Sequence, residues 1–159
     1  MSMDPFVAGL DYPVFVVTVA TDDGARAGCL IGFATQCSID PPRLLVCLSK
    51  ANHTYRLART APALAVHRLG PAQHNLAELF GSTTGDELDK FARCSWRPGP
   101  GGVPLLTDAP GHVVGDVVGR VDLGDHVGFV LDPVEVEGPG RGPALAFSAV
   151  RNLEPGHPA

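Results

Sequence analysis

A histidine preceded by glycine and aspartate opens an apolar run in the stretch VDLGDHVGFVL, residues 121–131. An imidazole, with an unperturbed pKa of about 6.5, exchanges protons near neutral pH and forms hydrogen bonds to ligands. If a strand begins at His126, alternation places Gly128 beside it on the same face. A glycine in this position predicts a bulge or the close approach of a ligand. The alternative is a surface histidine after a hairpin turn.

A second group of polar side chains follows the apolar run LLVCL and consists of Ser49, Lys50, Asn52 and Thr54. Asn52 is a good N-cap for a helix in HTYRLART, and the free N–H groups at a helix start attract a phosphate. Lys50 adds a cation beside them. An ordinary helix cap with a solvated lysine fits the same residues, so the spacing alone leaves both interpretations open.

Three further positions have both a structural and a functional interpretation. Lys90 is spaced to pair with Asp86 on a helix surface, or it contacts a ligand. Phe33 fits the core of a strand, and it also fits a ring that stacks on a flat ligand. Gly32, beside it, admits a close approach of the backbone to another group.

Hydrophobic patterns predict six or seven strands, most of them with antiparallel neighbours. The strands lie in PVFVVTVAT, AGCLIGF, LLVCL, ALAVHRL, HVVGDVVGRV, HVGFVLDPVEVEG and PALAFSAV. Short helices are predicted in HTYRLART and AQHNLAELFG, with one more turn in GDELDKFARCSW. The stretch RPGPGGVPLLTDAPG, residues 97–111, is predicted to be an irregular covering loop. Without regular strand–helix alternation, the patterns favour a closed or partly open antiparallel β-barrel with two or three short peripheral helices.

Length and charge narrow the class of protein. The 159 residues predict a single domain over 1–159, with a core at about 10–151 and a polar tail at 152–159. The net charge of -5 comes without a Lys/Arg cluster, which argues against nucleic acid or an anionic membrane as the partner. No apolar run is long enough to span a membrane and no basic leader is present, so we predict a cytoplasmic protein.

The cysteines and the scattered nucleophiles indicate neither a metal site nor a hydrolase. Cys29, Cys37, Cys47 and Cys94 form no C-x-x-C pair, and three of them lie in apolar strand-like runs. They are therefore predicted to be buried free thiols, and no metal site is predicted. Ser, His and Asp residues show no spacing typical of a catalytic triad.

Two motifs and their order carry a resemblance to a known family. SIDPP, residues 38–42, and GDH, residues 124–126, occur in this order, with Thr54 and KF, residues 90–91, between them. Over about residues 10–150 the chain resembles the flavin reductase-like family, whose fold is the FMN-binding split barrel. The resemblance implies a mainly β, antiparallel Greek-key split barrel.

The resemblance also implies a function and partners. It indicates an NAD(P)H-dependent flavin reductase, a homodimer that holds FMN, or FAD in some members, and accepts hydride from NADH or NADPH. In many relatives the reduced flavin passes to a partner monooxygenase. The alternatives are a flavin-binding electron carrier without appreciable reductase turnover, and a split-barrel oxidoreductase that uses another flat cofactor such as a deazaflavin. No G-x-G-x-x-G fingerprint follows a strand, so NADH and NADPH are not distinguished.

The resemblance assigns roles to individual residues. It implies that His126 is catalytic, at the flavin or the nicotinamide. Relatives commonly carry a polar Thr-x-Asn-Ser run where this chain has Leu30, Ile31, Gly32 and Phe33, so side-chain donors to the flavin are missing there. The implied cofactor-binding residues are Gly32, Phe33, Gln36, Cys37, Ser49, Lys50, Asn52, Thr54, Lys90 and His126.

Overall fold

In a computed structural model, which describes residues 1–82 and 89–153, nine strands account for most of the regular structure. They are β1 Phe15–Ala20, β2 Arg26–Ile31, β3 Ala34–Ser38, β4 Arg43–Ser49, β5 Ala63–Arg68, β6 Trp96–Pro98, β7 Pro104–Leu106, β8 Gly111–Asp122 and β9 His126–Glu137.

The strands form one large antiparallel sheet and one small one. The large sheet has seven strands in the order β2-β1-β5-β8-β9-β4-β3, and β6 pairs with β7. Strands β2 and β4 contact each other although four strands lie between them, because the sheet curls round on itself. This architecture confirms the antiparallel split barrel that the sequence predicts.

The helices are short and lie outside the sheet. They are α1 Asp4–Val7, α2 His53–Ala58 and α3 His74–Ser82, and a 3-10 turn at Pro71–Gln73 leads into α3. Both helices predicted from their apolar spacing are confirmed. Of the further turn predicted in GDELDKFARCSW, residues 85–88 lie outside the described part of the chain, and Lys90–Arg93 form a 3-10 turn. Among the described residues, no helix is long and apolar enough to cross a membrane.

Strand β1 is buried on both faces, which explains its continuous apolar sequence. Val17 and Val19 face a core inside the barrel that also contains Phe129 from β9. Val16 faces a second core, where α3 contributes Leu76 and Phe80. A strand covered by a sheet on one side and a helix on the other needs apolar residues at successive positions.

Strand β9 keeps the predicted alternation. Val127, Phe129 and Leu131 are buried in the barrel, and His126 and Val130 are partly exposed on the other face. The hairpin that joins β8 to β9 turns at Gly124, whose φ of 125° favours glycine. The predicted hairpin is therefore confirmed.

Two predicted segments are wrong. The stretch 97–111 is not a loop throughout, because it contains the end of β6 and all of β7, and Leu105 and Leu106 are buried. PALAFSAV is not a strand: it makes one isolated bridge between Pro13 and Ala146 and then a 3-10 turn. In both places, contacts with distant parts of the chain override the local pattern.

The cysteines only partly follow the prediction of burial. Cys29 is buried and its burial raises the thiol pKa to about 11, whereas Cys47 and Cys94 are half-buried. Cys37 is exposed, so the prediction is wrong there. The reason is that β3 is an edge strand of the sheet, and its central residues face solvent.

A buried histidine ties the large sheet to the small one. His67 is fully buried on β5, and its Nδ1 lies 3.0 Å from the Val16 carbonyl oxygen of β1. The backbone N–H of Leu106 on β7 donates to His67 Nε2 at 3.0 Å, so the proton of the neutral ring is on Nδ1. Burial lowers the pKa of His67 to about 4.

Candidate functional site

A cleft of about 490 Å³ opens where β2 turns into β3, next to the start of β9. The lining is completed by strand β4, the N-cap of α2, the end of α3, the residues just before β1 and the segment after residue 146. The lining residues are Tyr12, Val14, Leu30, Ile31, Gly32, Phe33, Cys47, Ser49, Asn52, Gly81, His126, Phe147, Val150, Arg151 and Leu153.

Two stacked aromatic rings form one wall of the cleft. Tyr12 and Phe147 have ring centroids 4.8 Å apart and planes inclined by 14°. The backbone N–H of Phe147 donates to the Tyr12 carbonyl oxygen at 2.7 Å, and the Ser148 hydroxyl donates to Asp11 Oδ2 at 2.6 Å. The wall therefore joins the two ends of the described chain.

Gly32 makes room for that wall. It lies in the bend between β2 and β3, and a Cβ added there would be 2.5 Å from Tyr12 Cε2. Any larger residue at position 32 must displace the Tyr12 ring. The close approach predicted for Gly32 is thus made by Tyr12.

His126 stands at the rim of the cleft, as the first residue of β9 and opposite Ser49 on β4. Its Nδ1 lies 2.7 Å from Asp125 Oδ1, and this hydrogen bond lowers the pKa of the Asp125 carboxyl. Asp125 precedes the strand, so alternation does not turn it away from its neighbour. Because Nδ1 is engaged, Nε2 is the ring nitrogen left for a ligand in the cleft.

Phe33 faces the same space. Its ring centroid lies 5.2 Å from that of His126, with planes inclined by 50°, and the residue is 56% exposed. This exposure rules out the ordinary core position that the sequence left open. The side chain is available to contact a flat ligand.

Of the four polar residues that end and follow β4, two line the cleft and two do not. Ser49 and Asn52 line the cleft, and Asn52 Oδ1 also accepts from the Thr54 backbone N–H at 2.9 Å. Thr54 is buried, and the Lys50 ammonium donates to Asp122 Oδ1 at 2.9 Å. The predicted helix cap is therefore present, and Lys50 is held by a carboxylate.

Lys90 lies inside the protein. It is 5% exposed, and its ammonium donates to the carbonyl oxygens of Gly28 at 3.0 Å and Phe80 at 3.2 Å. Burial lowers the pKa of this amine. The surface interpretation of Lys90 is wrong, and the residue does not line the cleft. Its contact with a cofactor stays a prediction.

Gln36 and Cys37 are exposed on β3 and do not line the cleft of their own chain. The Gln36 side-chain amide donates to the Ser38 carbonyl oxygen at 3.0 Å. The roles implied for both residues stay predictions.

The space beside Gly128 is filled by protein. A Cβ at this position would lie 3.1 Å from Leu45 Cδ1 and 3.1 Å from Leu123 Cδ1. Gly128 therefore allows two leucines to pack against β9, and the expectation of a ligand slot beside it is wrong.

Sequence reasoning missed most of the wall that faces Ser49 and His126. Tyr12, Phe147 and Arg151 reach the cleft through contacts between distant parts of the chain, and no local pattern marks them. Arg151 is the only Lys or Arg among the described residues of the lining, and its guanidinium lies 6.0 Å from the Phe147 ring centroid. It supplies the positive charge that Lys50 does not bring to this cleft.

Comparisons with known proteins agree with the fold. A family model described as flavin reductase like domain matches residues 7–154. FMN reductase (NADH) RutF of Methylorubrum extorquens is 34% identical over 134 residues, which cover 84% of this chain. The chain spans only 65% of that relative's length.

Two solved structures show the same fold. NADH:FAD oxidoreductase SgcE6 of Streptomyces globisporus superposes with a TM-score of 0.79 at 25% identity, over 88% of this chain and 83% of that one. Nitrilotriacetate monooxygenase component B of Mycobacterium thermoresistibile gives a TM-score of 0.75 at 27% identity. That match covers 86% of this chain and 75% of the other.

Proposed function

Because the chain belongs to the flavin reductase-like domain family, we propose that it is an NAD(P)H-dependent flavin reductase that transfers hydride from NADH or NADPH to FMN, or to FAD. The observation that carries the proposal is the cleft, in which His126, Ser49 and Asn52 meet an apolar aromatic wall. The relatives named FMN reductase (NADH) and NADH:FAD oxidoreductase support both the reaction and the cofactors.

The cleft suits a flat, largely apolar ring system with a polar edge. Its volume of about 490 Å³ lies in the range of small-molecule sites, and its apolar lining is interrupted by a few polar groups. Phe33 and the Tyr12–Phe147 stack, all of which line the cleft, offer faces for such a ring. When bound, a flavin supplies the redox chemistry, while the protein supplies binding and orientation.

His126 is the residue proposed to act at the reacting rings. Asp125 holds its Nδ1, so the orientation of the imidazole is fixed and Nε2 is directed to a ligand. Because Nδ1–H donates to the Asp125 carboxylate, Nε2 accepts a hydrogen bond when the ring is neutral and donates one when the ring is an imidazolium. In the imidazolium form His126 would stabilise negative charge on a polar ring atom. Phe33 lies beside His126, with the two ring centroids 5.2 Å apart.

Arg151 is proposed to bind the anionic part of the flavin or the dinucleotide. A guanidinium matches the geometry of a phosphate and forms two parallel hydrogen bonds to it. Ser49 and Asn52 add polar groups on the other side of the cleft. The phosphate role implied for Lys50 and Thr54 is weaker, because Lys50 is paired with Asp122 and Thr54 is buried.

The protein is proposed to work as a homodimer. Large apolar side chains are exposed along the β8–β9 ribbon, and apolar surface of this kind is typical of interfaces. They are Val118, Val121, Leu123, Val134 and Val136. Sedimentation equilibrium at micromolar concentration tests this part of the proposal, and a monomer throughout would contradict it.

A partner monooxygenase is the proposed consumer of the reduced flavin. The support is the likeness to a structure named as a monooxygenase component. The bend at residues 32–33 leaves Phe33 more than half exposed at the cleft, so the proposed flavin site is accessible from outside. An accessible site is what the release of a reduced flavin requires.

Anaerobic titration of the purified protein with FMN, and then with NADH or NADPH, tests the reductase function. We expect the visible flavin absorbance to bleach rapidly, with repeated turnover when air is admitted. Binding without bleaching would replace the reductase by an electron carrier. Failure to bind FMN or FAD would contradict the proposed use of the cleft.

A further inference from the structure

Three potential metal ligands meet at the opposite end of β9 from His126. His112 on β8 is the direct cross-strand partner of Glu137 on β9, and Glu135 lies two residues earlier on the same face. One ligand atom from each residue lies within 4.8 Å of the other two. Among the described residues, this is the one such group of three.

The two strands hold this group in place. His112 is 8% exposed, and its Nε2 lies 2.7 Å from Glu135 Oε1. Its ring also packs near the buried His67, with centroids 6.2 Å apart. Glu135 is half-buried and Glu137 is exposed, so the group is accessible to solvent on the side of the carboxylates, while the imidazole is buried. Ligands on paired strands are positioned more firmly than ligands on a loop.

We propose that His112, Glu135 and Glu137 bind a divalent transition-metal cation, with Zn²⁺ as the representative ion. One imidazole nitrogen and two carboxylate oxygens form a donor set that Zn²⁺ accepts. No Cys ligand is involved, so the site is independent of the thiols considered from the sequence.

The spacing fits a small ion. Metal–ligand bonds of about 2.0–2.2 Å in a tetrahedron place the ligand atoms about 3.3–3.6 Å apart. The distance between His112 Nε2 and Glu135 Oε1 is 2.7 Å, slightly below that spacing. All three ligand atoms lie within 4.8 Å of one another, an upper limit slightly above it. The ion takes the place of the proton between His112 and Glu135, which is released to solvent. Its charge neutralises both carboxylates.

The site has an open side. Three protein ligands leave the fourth tetrahedral position of Zn²⁺ to water or to an added ligand. His112 and Glu137 also line a second cleft, of about 500 Å³, together with Phe15, Leu44 and Arg68. This cleft shares no lining residue with the one at His126.

Equilibrium dialysis of the untagged, chelator-treated protein against Zn²⁺ tests the proposal. We expect one ion per chain, and at least tenfold weaker binding in Glu137→Gln and in His112→Gln. Glu78→Gln and His74→Gln are matched controls, because both residues are exposed and remote from the cluster, and they should bind as the parent does. Glu137 is exposed, so its variant keeps the fold even if His112→Gln does not.

Two further readouts identify the ligands. Added Zn²⁺ should raise the melting temperature of the parent and not that of Glu137→Gln. Co²⁺ should give visible absorption bands without the strong near-ultraviolet band of a thiolate ligand. The proposal is overturned if the parent binds no stoichiometric Zn²⁺, if Glu137→Gln and His112→Gln bind as the parent does, or if the Co²⁺ spectrum shows thiolate ligation.

Discussion

A histidine–carboxylate pair lies near each end of β9, and the two pairs have different surroundings. At its start, His126 lies 2.7 Å from the carboxylate of Asp125, and at its far end His112 lies 2.7 Å from that of Glu135. The first pair borders a cleft with Phe33, Tyr12 and other apolar residues. The second pair has a further carboxylate, Glu137, within reach.

The difference teaches that a histidine–carboxylate pair does not by itself define a ligand class. Aromatic rings around the first pair favour a flat organic molecule, because they bury its faces. The extra carboxylate around the second favours a cation, because two negative charges close together need one. The neighbours of each pair, more than the pair itself, decide the chemistry.

The largest expected effect is a loss of folding stability at acidic pH, which weakens the sheet that carries both histidine–carboxylate pairs. His67 has a pKa of about 4 in the folded protein, against 6.5 without burial, so between these pH values only the unfolded chain binds the proton. The stabilisation is present above pH 6.5 and is lost as the pH falls towards 4. We expect a loss of about 3 kcal/mol in the free energy of unfolding. Urea denaturation across this range measures it.

His67→Gln is the test of the cause. This variant should be less stable at pH 7 and should lose most of the dependence on pH between 6.5 and 4. The control His74→Gln changes an exposed histidine and should keep the full dependence. If His67→Gln retains the parent's slope, other groups titrate in this range and the assignment to His67 is wrong.

The second effect is expected at the cleft beside His126 and not at the His112 site. In Gly32→Val the new side chain would force Tyr12 off Phe147, since a Cβ there lies 2.5 Å from the Tyr12 ring. Overpacking typically costs about 1–3 kcal/mol, and this cost would be met when the ring returns to the stack as FMN binds. We therefore expect roughly five- to 150-fold weaker FMN binding. Fluorescence titration measures this affinity. Zn²⁺ binding at the other end should not change.

Gly9→Val is the matched control, because nothing lies within 4 Å of a Cβ at that position. It should bind FMN as the parent does. Equal FMN affinity in Gly32→Val and Gly9→Val would show that the Tyr12–Phe147 wall does not contact the flavin.

The fold was largely predictable because its main strands are local patterns. The double-sided burial of β1 and the alternation of β9 are both visible in the sequence. Strands β6 and β7 were not predictable, since Pro and Gly dominate their segment. The burial of β7 arises from packing against distant elements, among them β1 and β5. The segment around Phe147 was predicted as a strand because its apolar residues alternate, yet it finds only one bridge partner.

The candidate site divides in the same way. Gly32, Phe33, Ser49, Asn52 and His126 line one cleft, and the cofactor roles that the resemblance implies for them stay predictions. The opposing wall joins residues from far apart in the chain, and only the folded structure brings them together. The metal cluster was likewise invisible, because the β8–β9 register decides which side chains meet.

The third effect concerns hydride transfer at the cleft beside His126. We expect His126→Ala to slow reduction of bound FMN by NADH about tenfold, since a hydrogen bond to a charged group contributes roughly 1.5–3 kcal/mol. Anaerobic single-turnover bleaching measures the rate. Asp125→Asn should cause a smaller loss, because it weakens only the orientation of the ring. Unchanged rates at saturating NADH would remove His126 from the reaction.

The smallest effect distinguishes two cations near the first cleft. We expect Arg151→Ala to weaken FMN binding about fivefold and Lys50→Ala less than twofold, because an exposed ion pair contributes about 0.2–1 kcal/mol and Lys50 already has Asp122 as its partner. Comparison of FMN with riboflavin, which lacks the phosphate, isolates this contribution. A larger loss in Lys50→Ala than in Arg151→Ala would move the phosphate to Lys50.

The stack of Tyr12 on Phe147 also has a consequence for the order of folding events. The hydrogen bonds beside it join Asp11 and Ser148, which are 137 residues apart in sequence. A ribosome makes Tyr12 before the strands of the barrel, and it makes Phe147 only after β9. Closing so long a loop is entropically costly, so this contact should form late in folding. A nascent chain therefore assembles its sheet before it has a finished cleft.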